Sequence, residues 1–248
     1  MGRTAHSSVL VGNKLYFFGG QDDEIRSLND VFYLDMSQPF NLTFTPWTDL
    51  TTTAGIPFKS SWASVAINKD DNPTVYLIGG IMRYEENVNV TNTPLVYTFD
   101  PKSMQWNIPV IKGKEPERRR NMRAITDNSG MIYLFGGDTS NLTGSTIFKA
   151  FNDLIIINTN DLTWSYSPAF NAPTRRYLYS ATLLSSGTIV YIGGREFTDD
   201  GTSREVDINQ INLYDTKLGT WSAMVCTMYC IFHNRTLKNF HLISNFII

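Results

Sequence analysis

Histidine and cysteine side chains, which hold many protein-bound metal ions and carry out much nucleophilic catalysis, are scarce in this sequence. The chain has three histidines, namely His6, His233 and His241, and two cysteines, Cys226 and Cys230. Three residues separate the cysteines, whereas redox and zinc pairs usually have two between them. We therefore expect ordinary thiols, no metal site and no cofactor.

Motifs that position a nucleophile or a phosphate group are also missing from the sequence. There is no H-E-x-x-H, no P-loop and no G-x-S-x-G. Aspartates and serines are numerous, but no spacing selects a pair of them for acid–base chemistry. The sequence thus predicts no catalytic residues, and we do not expect this chain to be an enzyme by itself.

The composition narrows the class of protein and of partner. Hydrophobic residues make up 42 % and charged residues 18 % of the 248 residues, which is typical of a folded globular chain. The formal net charge of −2 gives no general attraction to nucleic acid. No apolar run approaches the ~20 residues that span a bilayer, and no signal peptide is visible. We expect no nucleic-acid partner and no transmembrane segment. The compartment stays open: cytoplasmic by default, extracellular or membrane-anchored if the N-terminus is truncated.

Two landmarks recur along the chain with one period of 57–60 residues. A pair of glycines ends an apolar run, and a tryptophan follows about 27 residues later. A shared period of two independent landmarks predicts an internal repeat, so we expect these residues to have structural roles. The landmarks are Gly19, Gly20 and Trp47; Gly79, Gly80 and Trp106; Gly136, Gly137 and Trp164; and Gly193, Gly194 and Trp221.

Each period contains four short apolar runs separated by turn residues, which predicts four strands. Four-stranded antiparallel units at fixed spacing are typical of β-propeller blades. We therefore expect an all-β protein with four blades of four antiparallel strands. The predicted blades cover residues 3–57, 58–115, 116–172 and 173–223, and residues 224–248 form an atypical C-terminal tail of low order.

The repeat resembles that of the kelch family from residue 3 to about 223. The first repeat carries most of the kelch pattern: Arg3, His6, Ser7, Ser8, Tyr16, Gly19, Gly20, Asn29, Asp30, Tyr33, Asp35 and Trp47. The second repeat departs from it, because Thr93 and Pro94 replace the Asn-Asp pair, and the fourth has Asn209 and Gln210 there. The resemblance implies a kelch-type β-propeller that binds a protein or peptide.

Two enzyme groups share the kelch propeller, and neither of their sites is assembled here. The galactose oxidase group holds copper with histidines and tyrosines and has a Tyr–Cys crosslink, while plant specifier proteins hold iron with a Glu, Asp and His set. In this chain His6 belongs to the repeat, and the other histidines and both cysteines follow the last blade. We therefore expect no such activity from these residues.

One face of the predicted propeller collects the long loops. These are the second-to-third-strand loops at 21–28, 81–93, 138–151 and 195–209, together with the blade-to-blade connections. Variable loops on a rigid frame commonly carry binding, so we expect the partner on this long-loop face. The candidate binding residues are Tyr84, Glu85, Arg118, Arg119, Arg120, Phe148 and Arg195. For the three arginines, a solvated loop together with the arginine of the repeat itself is the alternative.

Closed kelch rings usually have six or seven blades, so four blades predict an open or partial ring. Three explanations stay open: a fragment of a longer protein, self-association through the open blade faces, or an unusual four-bladed ring. The leading functional hypothesis is a non-catalytic protein-binding module or scaffold. The alternative is a part of a larger secreted or membrane-anchored propeller protein, either a galactose oxidase-like enzyme or a carbohydrate-binding ectodomain, whose site lies in missing blades.

Overall fold

A computed structural model describes residues 2–84, 93–168 and 170–225, and these are almost entirely β-strands. The described part has one helical turn, α1 (Thr51–Ala54), and one 3-10 turn (Asn141–Thr143). The strands of the first half are β1 (Ser7–Val11), β2 (Lys14–Phe18), β3 (Val31–Asp35), β4 (Trp47–Asp49), β5 (Lys59–Ser61), β6 (Ser64–Ile67), β7 (Val75–Ile78), β8 (Ile81–Arg83), β9 (Val96–Asp100) and β10 (Gln105–Asn107). Those of the second half are β11 (Ala124–Thr126), β12 (Met131–Phe135), β13 (Asp138–Thr139), β14 (Lys149–Ala150), β15 (Leu154–Asn158), β16 (Thr163–Ser167), β17 (Arg176–Tyr177), β18 (Ser180–Leu183), β19 (Thr188–Ile192), β20 (Arg195–Phe197), β21 (Ser203–Glu205), β22 (Gln210–Asp215) and β23 (Thr220–Val225).

Sixteen of these strands form four antiparallel sheets of four strands each. Their orders are β1-β2-β3-β4, β6-β7-β9-β10, β11-β12-β15-β16 and β18-β19-β22-β23. The order in space follows the order in the chain, which is the up-and-down arrangement of a propeller blade. The first strands of successive blades contact one another, so they are the inner strands. The predicted four blades of four antiparallel strands are confirmed, and within the described residues no sheet joins blade 4 to blade 1.

In blades 1 to 3, the glycine pair at the end of the second strand is the point where the blade meets the next one. A Cβ atom on Gly19 would lie 2.2 Å from the carbonyl oxygen of Ser60, and Gly19 has a φ of +57°. The N–H of Gly20 donates to that same carbonyl at 2.8 Å. Only glycine combines this left-handed conformation with this close approach, so the repeat requires glycine here.

Three apolar clusters form the core, each between two adjacent blades. In blades 2 to 4, the tryptophan packs against the blade before its own. The ring of Trp106 lies 5.8 Å from that of Phe18, and its indole N–H donates to the carbonyl of Ala54 at 2.9 Å. Trp164 and Trp221 are buried in the same way in the next two clusters. Large aromatic surfaces thus supply much of the apolar area that holds the blades together.

Several loops of the long-loop face contain short strands instead of irregular backbone. β5 pairs with β8, β13 pairs with β14, and β20 pairs with both β17 and β21. These ladders satisfy backbone groups of the loops and fix their positions on the frame. The last strand, β23, continues to Val225, and residues 226–248, which make up most of the predicted tail, lie outside the described part of the chain. No helix of the described part is long and apolar enough to cross a membrane.

Candidate protein-binding face

Tyr84 lies half-exposed at the blade 2 side of the long-loop face. Its hydroxyl oxygen is 3.0 Å from that of Tyr97, and its ring packs edge-on against Phe58 at 6.2 Å. Burial, followed by the bond to Tyr84, raises the pKa of Tyr97 well above its usual value, so the Tyr97 hydroxyl stays protonated. The Tyr84 ring is therefore held in place by Tyr97 and Phe58 while about half of its surface faces solvent. Glu85, the next predicted binding residue, lies outside the described residues.

Arg118 fixes the backbone of blade 2. Its guanidinium donates to the carbonyls of Thr93 at 2.8 Å, Pro94 at 2.7 Å and Gly79 at 3.3 Å. Burial lowers the pKa of Arg118 from its usual value. These bonds use most of the donors of the side chain, so its main action is to hold Gly79 and the Thr93-Pro94 segment in place.

Arg119 is the arginine of the repeat and is buried between strands of blade 3. It forms an ion pair with Asp153, donates to the carbonyl of Gly136 at 3.1 Å, and stacks 3.5 Å from the ring centre of Phe151. Arg3 makes the corresponding bonds in blade 1. Arg119 therefore has little surface left for a partner.

Arg120 is partly exposed and its charge is neutralised locally. Its Nε donates to Asp138 at 3.0 Å, and the Asn121 amide donates to the other carboxylate oxygen at 2.5 Å. Asp138 is fully buried, and this burial raises the pKa of its carboxyl against the opposing effects of Asn121 and Arg120. The three consecutive arginines thus have three different sets of partners, and none is a free cation.

Phe148 lies at the exposed edge of an apolar cluster where the loops of blades 3 and 4 meet. It is 44 % exposed and its neighbour Ile147 is 64 % exposed. The Phe148 ring lies 5.2 Å from Phe197 and 6.0 Å from Tyr177, both of blade 4. We call these four residues, Ile147, Phe148, Tyr177 and Phe197, the Phe148 patch.

The guanidinium of Arg195 binds the strand next to this patch. Its guanidinium donates to the hydroxyl and the carbonyl of Ser203, each at 3.1 Å, and so clamps β20 to β21. The hydroxyl of Tyr177 lies 2.6 Å from the same Ser203 hydroxyl. The structure therefore brings Phe148 and Arg195 into one cluster, while Tyr84 lies on blade 2 and Arg118 contacts the backbone of blade 2.

Ion pairs surround the Phe148 patch. Lys149 donates to Glu117 at 3.1 Å, and Arg175 donates to Asp199 at 3.1 Å. Next to Glu117 a shallow cavity of about 240 Å³ is lined by Thr93, Glu115, Arg118 and Ser145, among others. An apolar centre with a charged rim is the usual anatomy of a protein-binding surface.

Sequence reasoning missed Tyr177 and Phe197 as parts of this face. Phe197 falls within the loop predicted at 195–209, and Tyr177 falls outside the predicted long loops. The alternation of Arg195, Glu196 and Phe197 was the available signal, because it places the first and third side chains on the same side of a strand.

The described residues contain no group of three or more His, Cys, Asp or Glu side chains placed to hold a metal ion. Several acidic side chains of the long-loop face instead pair with arginine, lysine or hydroxyl groups. Glu196, for example, accepts from Thr174 at 2.5 Å and from Arg204 at 2.5 Å. The arrangement offers contact surface and fixed charges.

Comparisons with known proteins agree with this architecture. The model of the Attractin/LZTR1 beta-propeller family matches residues 1–240. Kelch domain-containing protein 3 of Bos taurus is 29 % identical over 235 residues, which are 88 % of this chain and 56 % of that protein. The Homo sapiens protein is 29 % identical over 234 residues, with the same coverage. Host cell factor 1 of Homo sapiens is 29 % identical over 180 residues, 65 % of this chain and 8 % of that protein. The chain thus spans about half the length of the kelch domain-containing relatives, and it belongs to the Attractin/LZTR1 β-propeller family, as a kelch-type propeller.

Proposed function

We propose that this chain is a non-catalytic protein-interaction module whose partner binds the long-loop face at the Phe148 patch. The observation that carries the proposal is the exposure of Phe148 and Ile147 on a β-framework that fixes their position. Binding energy in protein interfaces concentrates on a few aromatic and arginine anchors surrounded by polar residues. The Phe148 patch has this composition.

The framework lowers the entropic cost of binding at this patch. Phe148 precedes β14, which pairs with β13, and Phe197 ends β20, which pairs with two strands. Side chains that are already ordered lose little freedom when a partner binds. The ring contacts with Phe197 and Tyr177 hold Phe148 in place in the same way.

The charged rim favours a partner that combines an apolar anchor with charges of both signs. Lys149 and Arg175 each lie beside a carboxylate, so the rim has no single sign. Charges at such a rim select the orientation of the bound partner, and they change the association rate more than the affinity. A protein or peptide segment fits this surface, as the resemblance to kelch propellers implies.

The test is affinity capture with chemical crosslinking, comparing the wild-type chain with the double variant Ile147→Ala, Phe148→Ala. In the wild type, we expect crosslinks between the partner and residues 138–151 and 195–209 of this chain. In the double variant, we expect at least a tenfold lower affinity for the partner, which corresponds to about 1.4 kcal/mol of binding free energy. The matched control is Phe44→Ala. Phe44 is 79 % exposed and lies between β3 and β4, on the opposite face.

The control variant should capture the same proteins in the same amounts as the wild type. Equal capture by the wild type and the double variant would refute the assignment of the patch. Loss of capture in Phe44→Ala alone would place the partner on the short-turn face instead.

A further inference from the structure

The cavity beside Glu117 lies between two blades that each pack on a described blade at both sides. Blade 2 contributes Thr93 and Leu95 to its walls, the connection between the blades contributes residues 115–118, and blade 3 contributes residues 143–145. Its volume of about 240 Å³ is below the roughly 300–1,000 Å³ of pockets that hold whole small molecules. The size therefore suits a single side chain of a larger partner.

Two glutamates, Glu115 and Glu117, flank Pro116 in the connection between the blades. A residue that precedes a proline favours extended backbone, and side chains two positions apart in an extended segment point to the same side. Both glutamates line the cavity, as this local geometry predicts. One wall of the cavity therefore has two carboxylates.

These carboxylates have acceptor sites that the described residues do not fill. One oxygen of Glu117 accepts from the Lys149 ammonium at 3.1 Å, and a carboxylate has two oxygens with about four acceptor sites in all. Glu115 is exposed, and no hydrogen bond or ion pair joins its carboxylate to another described residue. The wall formed by the connection thus offers acceptors.

The donors of the opposite wall, on blade 3, are used within that wall. The Thr143 hydroxyl donates to the carbonyl of Ser140 at 2.8 Å. Ser145 donates its backbone N–H to the same carbonyl at 3.1 Å and its hydroxyl to the carbonyl of Ile147 at 3.0 Å. These groups have few hydrogens left for an anion inside the cavity.

Arg118 is the cation that lines the cavity, and its guanidinium is directed at backbone oxygens of blade 2. One terminal nitrogen donates to the carbonyl and the hydroxyl of Thr93 at 2.8 and 2.9 Å and to the carbonyl of Pro94 at 2.7 Å. The three charged residues that line the cavity, Glu115, Glu117 and Arg118, have a combined charge of −1. A group that is positive and rich in donors complements this lining.

We propose that this cavity receives a basic side chain, arginine or lysine, of the partner that binds the long-loop face. The inference rests on the proposed function and adds a charged residue to the description of the partner. Guanidinium and ammonium groups have several donors and no acceptor, so either can bind both carboxylates.

Lys149 shows that one partner can reach the cavity and the Phe148 patch together. It directly follows Phe148 in the chain, and its ammonium binds Glu117 on the wall of the cavity. A partner segment therefore has a basic residue close to its apolar anchor.

NMR titration of the whole chain with side-chain probes tests the cavity without knowledge of the partner. The probes are N-acetylarginine methylamide and N-acetyllysine methylamide, and N-acetylcitrulline methylamide is the neutral analogue of the arginine probe. We expect at least one basic probe to cause saturable shifts of the backbone signals of residues 115–118 and 143–145, with a dissociation constant in the millimolar range. The citrulline probe should bind about fivefold more weakly, as expected for the loss of an exposed ion pair.

Glu115→Gln is the variant that isolates the charge, because this side chain is exposed and its replacement keeps the shape. We expect about fivefold weaker binding of the basic probe, and a similar loss of affinity for the captured partner. The matched control is Glu24→Gln on the long loop of blade 1, where the side chain is 72 % exposed. This control should bind the probe and the partner like the wild type.

The outcomes keep this inference separate from the proposed function. The variant Ile147→Ala, Phe148→Ala should still bind the basic probe, because the probe does not need the patch. Equal capture of the partner by that variant and the wild type would refute the Phe148 patch and leave the probe result unchanged. Equal binding of the basic and citrulline probes, or no saturable shift with either basic probe, would refute the cavity as a site for a basic side chain. Unchanged affinity of Glu115→Gln for the captured partner would refute its use by that partner.

Discussion

The ion pair between Arg119 and Asp153 should be a major source of stability in blade 3, and Asp153→Asn tests this. The Arg119 side chain is 4 % exposed, and its second nitrogen donates to Asp153 at 2.9 Å. Removing one partner of a fully buried pair costs about 3–5 kcal/mol. The Asp153 side chain is 32 % exposed, and solvent screening therefore lowers the expected loss to about 2 kcal/mol.

Blade 4 offers the reverse experiment. Asp30 of blade 1 and Asp153 of blade 3 occupy equivalent positions, because each directly precedes the residue that pairs with the last residue of the second strand. Gln210 occupies this position in blade 4. All three guanidinium nitrogens of Arg176 are buried without a hydrogen-bond partner among the described residues. Gln210→Asp would supply a carboxylate, and we expect a gain of about 1 kcal/mol in the free energy of unfolding.

Urea denaturation monitored by tryptophan fluorescence measures both changes, since an altered midpoint at unchanged slope reports stability directly. Asp161→Asn is the matched control, because Asp161 is exposed and accepts a hydrogen bond from Thr163, two residues away in the same turn. The reasoning would be refuted if Asp153→Asn lost no more stability than Asp161→Asn. It would also be refuted if Gln210→Asp destabilised the chain.

Three further predictions concern the repeat and its buried acid. Gly136→Ala should cost about 3 kcal/mol in thermal or urea unfolding, because the new Cβ would lie 2.3 Å from the carbonyl of Arg176. A Cβ on Gly193 would have no described residue within 4 Å, so Gly193→Ala should cost only the ~1 kcal/mol of left-handed strain. Trp106→Phe should lose about 2 kcal/mol in the same assay, since it removes part of a buried ring and the hydrogen bond to Ala54, and a loss below that of an exposed Trp47→Phe change would contradict this. Asp138 has a raised pKa in the folded chain, so its contribution to stability is fully present below its ordinary pKa and is lost as the pH rises through the raised value. The stability of the wild type relative to Asp138→Asn, measured by urea denaturation, should therefore fall from pH 4 to pH 7, and a constant difference would refute the role of burial.

The period of the sequence predicted the sheets because each blade is a local unit. The glycine pair and the tryptophan must recur wherever one blade packs on the next, and the strands between them pair in chain order. The sequence predicted, for example, that another backbone segment approaches Gly19 closely, although it did not identify Ser60 as the residue that does so. Such contacts repeat, so one argument serves every blade.

The candidate site was less predictable, because it depends on contacts between loops that do not repeat. Arg118, Arg119 and Arg120 look alike in sequence, but successive side chains of an extended segment point in different directions. One therefore meets carbonyls of blade 2, one meets Asp153, and one meets Asp138. The sequence shows that these directions alternate, but only the packed blades determine which arginine enters the core.

The Phe148 patch shows the same limit. Phe148 was selected from the sequence as an exposed apolar residue of a long loop, but its partners Tyr177 and Phe197 belong to the next blade. Their approach depends on the hairpin of β20 and β21, which the mixed charge of residues 195–209 concealed. The sequence feature that would have indicated this hairpin is the alternation of polar and apolar side chains within the long loop, as at Arg195–Phe197.

Hydrogen-exchange mass spectrometry of the chain, with and without the partner recovered by the wild type, tests binding at the long-loop face most directly. We predict that the partner slows exchange in residues 138–151 and 195–209 and leaves residues 36–46 and 216–219 of the opposite face unchanged. Slower exchange confined to those turns of the opposite face, with the loops around Phe148 unaffected, would contradict it.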